Sequence, residues 1–231
     1  MVNDTIRKKT GIQGFDKLCE GGLISDGIYL VTGNAGAGKT TFLLQYLYNG
    51  AVNDDENGLY VSFEPEVSDI YKAGKKMGMD LEKLEKDGKC LVMKFPTDML
   101  VKDMQKQLLK IITSHNIQRV CFDPINVLSL DLPKEVTLRK QLFELFLFLK
   151  KLGICVIIAG EADEALEKGC SLADEIVFSK YLADGIIELF ASGIGGSGDR
   201  ALRISKMRMT NHYRGPVGMQ ITSSGLKVLK A

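Results

Sequence analysis

Apolar residues follow two rhythms along the chain. Short continuous runs, the pattern of strands buried on both faces, fall at 27–32, 58–63, 90–95, 119–123 and 154–159. Between them lie stretches with apolar positions three and four apart, the helical spacing: 39–52, 66–77, 102–115 and 137–152. In 102–115 the stripe is Met104, Leu108, Ile111 and Ile112. The segment 137–152 is apolar on most faces, with Phe143, Phe146 and Phe148, so it is expected to be covered by the sheet on one side and by a neighbouring subunit on another. Alternation of strand and helix predicts a parallel sheet with helices on its faces. Beyond residue 160 the texture changes: 185–191, 200–209, 217–221 and 226–229 read as strands joined by short glycine-containing turns, Ser223-Ser224-Gly225 among them. Strands linked so closely run antiparallel. The fold class is therefore α/β, a mostly parallel sheet flanked by helices and extended by C-terminal antiparallel strands. No linker, repeat or low-complexity tract interrupts the pattern, and 1–231 is read as one domain.

Composition adds constraints rather than a function. Thirty basic residues against 29 acidic leave a net charge of +1, so no global field points to nucleic acid or an anionic membrane. Five cysteines (Cys19, Cys90, Cys121, Cys155, Cys170) contain no C-x-x-C pair, and an odd number argues against a fully paired disulfide framework. Cys121 and Cys155 fall within strand-like runs, where the thiol acts as a small hydrophobe. The polar start of the chain lacks the apolar core of a secretion signal, and no apolar stretch approaches the ~20 residues of a membrane span. These features read as a soluble, cytoplasmic protein.

The candidate chemistry begins at Gly33-Asn34-Ala35-Gly36-Ala37-Gly38-Lys39-Thr40, a full match to G-x-x-x-x-G-K-[ST]. The octapeptide follows a strand-like run and opens a helix, as a phosphate-binding loop must. Its glycines let consecutive backbone N–H groups turn toward phosphates, and the helix N-terminus adds partial positive charge. Lys39 is expected on the β- and γ-phosphates of ATP, the Thr40 hydroxyl on Mg²⁺, and Thr41 near the α-phosphate. The run Val120-Cys121-Phe122 closes on Asp123, which fits the second carboxylate-bearing strand of such sites and a role on the same Mg²⁺. The strand 58–63 leads into Glu64, the candidate general base for the attacking water. Placed between the loop's strand and the strand of Asp123, that strand would aim Glu64 at the γ-phosphate. Glu66, beyond Pro65, is the weaker candidate.

With these pieces placed, the chain resembles the KaiC-like branch of the RecA superfamily over nearly its whole length. Thr10-Gly11-Ile12-Gln13-Gly14-Phe15-Asp16-Lys17-Leu18 followed by Gly21-Gly22-Leu23 is similar to the family lead-in "TGIpGlDeLl.GGl". Gly58 to Glu64 resembles "glYvSfEE", Leu182-Ala183-Asp184-Gly185-Ile186-Ile187 resembles "LaDgvi", and Lys206-Met207-Arg208-Met209-Thr210-Asn211-His212 resembles "KmRgt.H". The resemblance implies a three-layer RecA-like P-loop NTPase that binds and hydrolyses ATP with Mg²⁺ for a regulatory or signalling end. It further implies a homo-oligomeric ring, a hexamer being one form, in which Lys206 and Arg208 reach the neighbouring subunit's ATP. Two residues apart in a strand, these cations share a face, and His212 is a candidate for the same interface.

The chain departs from the pattern at Pro65, where the family has a second glutamate, and at Pro124, where it has serine. It also carries one ATPase domain where the protein naming the family has two. The first departure leaves open a nucleotide-gated assembly module with little hydrolysis. A recombinase paralogue acting in DNA repair is a further alternative. It is disfavoured by the loop region 160–175, which carries Glu161, Asp163, Glu164, Glu167, Asp174 and Glu175 against Lys168 alone and so repels a phosphate backbone. The loop region 124–140 is mixed in charge, and the glycine-rich 193–198 is expected to be a flexible hairpin connection.

Overall fold

The computed structural model describes residues 6–125, 135–161, 180–193 and 199–229, with 135–139 in backbone only. In chain order the strands are β1 (Arg7–Lys8), β2 (Leu23–Ile24), β3 (Ile28–Gly33), β4 (Asn57–Ser62), β5 (Cys90–Lys94), β6 (Ile117–Asp123), β7 (Cys155–Glu161), β8 (Gly185–Ala191), β9 (Arg200–Met207), β10 (Val217–Thr222) and β11 (Gly225–Val228). The helices are α1 (Lys39–Asn53), α2 (Val67–Lys76), α3 (Leu81–Lys86), α4 (Val101–Ser114) and α5 (Glu135–Lys151). A nine-stranded sheet has the order β11-β10-β9-β8-β3-β7-β6-β4-β5. From β8 to β5 the pairs are parallel, and β9, β10 and β11 extend the sheet antiparallel. The C-terminal meander expected from the glycine-spaced runs is present, and Ser223-Ser224 form the turn between the paired Thr222 and Gly225.

One expectation about order is overturned. The strand between β3 and β6 is β7, and β4 lies on the far side of β6. Burial marks only the edge: β3, β7 and β4 are each buried almost end to end, whereas β5 mixes buried, half-buried and exposed positions and takes the outer place. A strand still separates the loop's strand from that of Asp123.

Period-two alternation sends each strand's side chains to two cores. Tyr29, Val31, Tyr60, Cys121 and Ile157 face the layer of α1, where they meet Phe42, Leu43, Tyr46 and Leu47. Leu30, Val61, Phe122, Val156 and Ile158 face α4 and α5, where they meet Met104, Leu108, Leu145 and Leu149. Of α5, Leu142, Leu145, Phe146 and Leu149 are buried, while Phe143 and Leu147 remain 43% and 46% exposed. Among the described residues, that helix is covered on one side only. Among the described residues, no helix is long and apolar enough to cross a membrane.

The lead-in packs as a plug under α1. The Asp16 carboxylate accepts from the Thr10 amide and hydroxyl and from the Gly11 amide, which closes a loop and drives Phe15 edge-on against Phe42, 5.2 Å between ring centres. Arg119, at the base of β6, is fully buried and holds Asp54, Glu56 and the carbonyls of Lys9 and Tyr46 together. A Cβ on Gly50 would stand 2.4 Å from the Arg119 Nε, so a glycine interrupts α1 where the guanidinium crosses it.

Candidate nucleotide site

The loop between β3 and α1 is shaped by glycine where the chain must turn or approach. Gly36 and Gly38 have φ of +76° and +105°, left-handed values that cost other residues roughly 1–2 kcal/mol. A Cβ on Gly33 would meet the Leu189 carbonyl oxygen at 2.3 Å, so β8 can lie directly against the loop. The Asn34 side chain fastens this contact, donating to the Ala191 carbonyl at 2.8 Å and accepting from the Ala191 amide at 3.2 Å. Asn34, Ala35 and Gly36 are exposed and Ala37 is buried. Gly38 is the N-cap of α1 without a side-chain cap, and the first turn holds no acidic residue. The orphan N–H groups there are left for an anion, whereas the first turns of α2, α3 and α4 each carry an acid.

Lys39 is buried and its ammonium folds into the loop, donating to the Gly33 oxygen at 2.8 Å and the Asn34 oxygen at 3.2 Å. Glu161, at the end of β7, stands 3.8 Å from the same ammonium. The Thr40 hydroxyl donates to Asp123 Oδ2 at 2.8 Å, which joins two motifs 83 residues apart. The Tyr60 phenol donates to the same oxygen. Burial pushes the Asp123 carboxyl above the usual range, against the bonds from Tyr60 and Thr40 and the charge of Lys39. Thr41 is half-buried in the first turn of α1.

Thr40 and Asp123 fit Mg²⁺. Both are hard oxygen donors, and Mg²⁺ in phosphate sites keeps several waters and takes only one or two protein oxygens. Thus the lack of any cluster of three His, Cys, Asp or Glu among the described residues does not count against the site.

The other expected residues fall in two places. Glu64 lies two residues past β4, on the side of Asp123 away from the loop. It is joined to that carboxylate's strand by the Phe63 amide, which donates to the Asp123 carbonyl at 3.1 Å. Glu64 is exposed and, among the described residues, takes part in no hydrogen bond or ion pair. Lys206 and Arg208 do share a face, as alternation predicts. Lys206 Nζ donates to the carbonyls of Lys180, Tyr181 and Ala183, and Arg208 donates to that of Tyr181 and approaches Asp184 at 3.6 Å. Burial, and then the charge of Arg208, hold the Lys206 ammonium below its usual pKa. His212 is half-buried, its Nδ1 3.1 Å from the Tyr213 carbonyl.

Three residues at the site were not read from the sequence: Tyr60, Glu161 and Arg200, whose Nε donates to the Gly36 carbonyl at 3.4 Å. A tyrosine inside a buried strand needs a partner for its hydroxyl, which is a signal for Tyr60; Glu161 and Arg200 depend on strand order and carried none. Most of the loop regions 124–140 and 160–175, the stretch 194–198 and Cys170 lie outside the described residues, so the expectations placed on them stand where the sequence left them.

Comparison with known proteins agrees with this geometry. The family model of the ATPase KaiC matches residues 8–231. The circadian clock oscillator protein KaiC of Synechococcus elongatus is 29% identical over 231 residues, which cover 96% of this chain and 44% of that protein. The protein of the same name from Nostoc sp. is 29% identical over 235 residues, 98% of this chain and 44% of its own. This chain thus spans a little under half the length of the curated relatives it matches. The crystal structure of a KaiC-like protein from the hyperthermophilic archaeon Pyrococcus horikoshii OT3 superposes with a TM-score of 0.85 at 31% identity, covering 97% of this chain and 99% of that one. A mostly parallel sheet with helices on both faces, an uncapped glycine loop and a hydroxyl–carboxylate pair at its mouth thereby find their family: the chain belongs to the KaiC ATPases, with a fold of RecA type.

Proposed function

We propose that this chain binds and hydrolyses ATP with Mg²⁺, at a site that a second copy completes through Lys206 and Arg208. The observation that carries the reading of a shared site is strand register. Gly33 pairs with Leu189 at the carboxyl end of β8, while Lys206 pairs with Ile186, whose neighbour on β3 is Leu30. Three residues of strand are roughly 10 Å. Arg208 donates its amide to the Asp184 carbonyl, beside Ile28, five residues or roughly 16 Å below Gly33. Neither cation serves its own chain's loop, yet both stand together as a ready pair.

The division of labour follows from the residues. Lys39 exchanges the carbonyls of Gly33 and Asn34 for phosphate oxygens, and the N–H groups of 36–40 hold the same anion. Thr40 and Asp123 hold Mg²⁺, which when bound neutralises charge on the β- and γ-phosphates. Although β4 lies beyond the strand of Asp123, the resemblance of 58–64 to the family motif supports Glu64 as the group that orients the attacking water and accepts its proton. Arg208 from the second copy stabilises the charge that develops on the transferred group. A regulatory use of the turnover is supported by the resemblance to clock proteins.

A second reading, ATP-gated assembly with little turnover, is favoured by one observation: Glu64 is exposed, unpartnered among the described residues, and followed by Pro65. Steady-state phosphate release from wild type and Glu64→Gln separates the two. Hydrolysis predicts a loss of roughly 10²–10⁴-fold in the variant, with ATP still bound. Equal and negligible rates in both proteins would leave the assembly reading in its place.

A further inference from the structure

Met209 is held in a conformation that its side chain disfavours. Its φ is +53°, in the left-handed region that L-residues other than Asn and Asp rarely enter. Among the described residues, the other non-glycine residues with positive φ are Glu20, Asp55 and Asn116, two of them of the tolerant types. In the motif that Lys206 to His212 resembles, this position is glycine, the residue for which such a turn is free of cost. A methionine has taken its place, and its side chain does not go into the protein: Met209 is 79% exposed.

The surroundings enforce the strain. Arg7, paired to Glu20 at 2.7 Å, donates to the Met209 carbonyl at 3.3 Å and to the Thr210 hydroxyl at 3.1 Å. A strained residue persists where its neighbours over-determine it. Tyr181, 72% exposed, lies on the other flank, since the Arg208 guanidinium donates to its carbonyl. Two large apolar side chains thus project into solvent on either side of Arg208. Around them stand Lys206, Arg208 and Arg214, with Asp184 3.6 Å from Arg208, while the end that bears the phosphate loop carries the exposed carboxylates Glu64, Glu66, which pairs with Lys94, and Glu161, 3.8 Å from Lys39. Opposite charge at opposite ends suits a head-to-tail contact between copies.

We propose that Met209, with Tyr181, is the apolar anchor by which one copy of this chain docks beside the phosphate loop of a second, fixing Arg208 in place. The inference rests on the shared-site reading above and adds the residues that supply the hold. Arg208 is 53% exposed in the single chain; tyrosine and arginine are enriched at interface hot spots, which a partner desolvates, and the left-handed backbone aims Met209 outward beside them.

The test sets folding against association. Met209→Gly removes the anchor and relieves the backbone, and Met209→Leu keeps an apolar side chain. Self-association is measured by sedimentation with a non-hydrolysable ATP analogue, beside thermal melts of dilute protein. Met209→Gly is expected to melt no lower than wild type but to dissociate about tenfold more readily or worse, with ATP turnover lost at low protein concentration and regained at high. Met209→Leu is expected to associate like wild type. If Met209→Gly associates as wild type does, or melts lower when dilute, the anchor is wrong and Met209 belongs to its own chain's packing; the shared site then stands or falls on Arg208. If wild type fails to associate at any concentration or nucleotide state, the shared-site reading fails and takes the anchor with it.

Discussion

Replacing Arg119 by methionine tests what holds the base of the sheet together. The guanidinium is buried to 1% exposure and bonds Asp54 at 2.7 Å and Glu56 more closely still. It also donates to the carbonyls of Lys9 at 2.9 Å and Tyr46 at 3.0 Å, and lies 4.5 Å from the centre of the Tyr46 ring. Methionine keeps most of the volume, so the loss is electrostatic. Breaking a buried pair by removing one partner costs about 3–5 kcal/mol. Asp54 and Glu56 retain some contact with water, at 33% and 20% exposure, and Lys8 still pairs with Glu56, so the lower end, about 3 kcal/mol, applies. For a chain of this size that is a fall in Tm of roughly 6–12 °C.

The same variant carries a pH signature. Burial raises the Glu56 carboxyl, but the bonds from Lys8 and Arg119 outweigh it, and the net shift is downward from 4.5. A depressed carboxylate contributes stability that is present above its unfolded pKa and lost as pH falls through its folded pKa. The gap between wild type and Arg119→Met should therefore be full at pH 7 and narrow once pH drops below 4.5. Scanning calorimetry at both ends of that range reads it. A Tm within about 2 °C of wild type at pH 7 would refute the network's role, and a gap that ignores pH would assign the loss to packing instead.

Two further outcomes follow from buried groups. Burial pushes the thiols of Cys19 and Cys90 up to about 12 and that of Cys155 to about 11, so residue-resolved alkylation should modify these three and Cys121 only in denaturant; rapid labelling of the native protein would contradict their placement. Tyr60→Phe removes one of two donors to Asp123 Oδ2, a bond to a charged acceptor worth roughly 1.5–3 kcal/mol. The nucleotide-free variant should unfold at lower urea, and an unchanged midpoint would mean that the phenol does not hold the ionised carboxylate.

Local chemistry was readable from the sequence, and long-range order was not. The loop from Gly33 to Thr40, the carboxylate at Asp123 and the stripe on α4 each follow from spacing within a few residues, and all three stand where expected. The place of β4 does not, because β4 is buried like β3 and β7 and nothing within a run such as 58–63 says which buried strand it lies beside. The lead-in read as a motif without structure, since Phe15 and Leu18 acquire meaning only when Asp16 folds the loop beneath α1. Gly50 carries no signal of its own in the sequence, because the side chain that needs its space, Arg119, lies far along the chain.

The central claim is that Glu64 of one copy and Arg208 of another act on one ATP. Glu64→Gln and Arg208→Ala should each hydrolyse ATP poorly alone, for the want of a base or of a cation. Mixed in equal amounts under associating conditions, they form some junctions in which the Arg208→Ala chain supplies Glu64 and the Glu64→Gln chain supplies Arg208. Phosphate release from the mixture should exceed the sum of the separate rates several-fold. A mixture no faster than that sum, from chains proved to co-assemble, would contradict a site shared between copies.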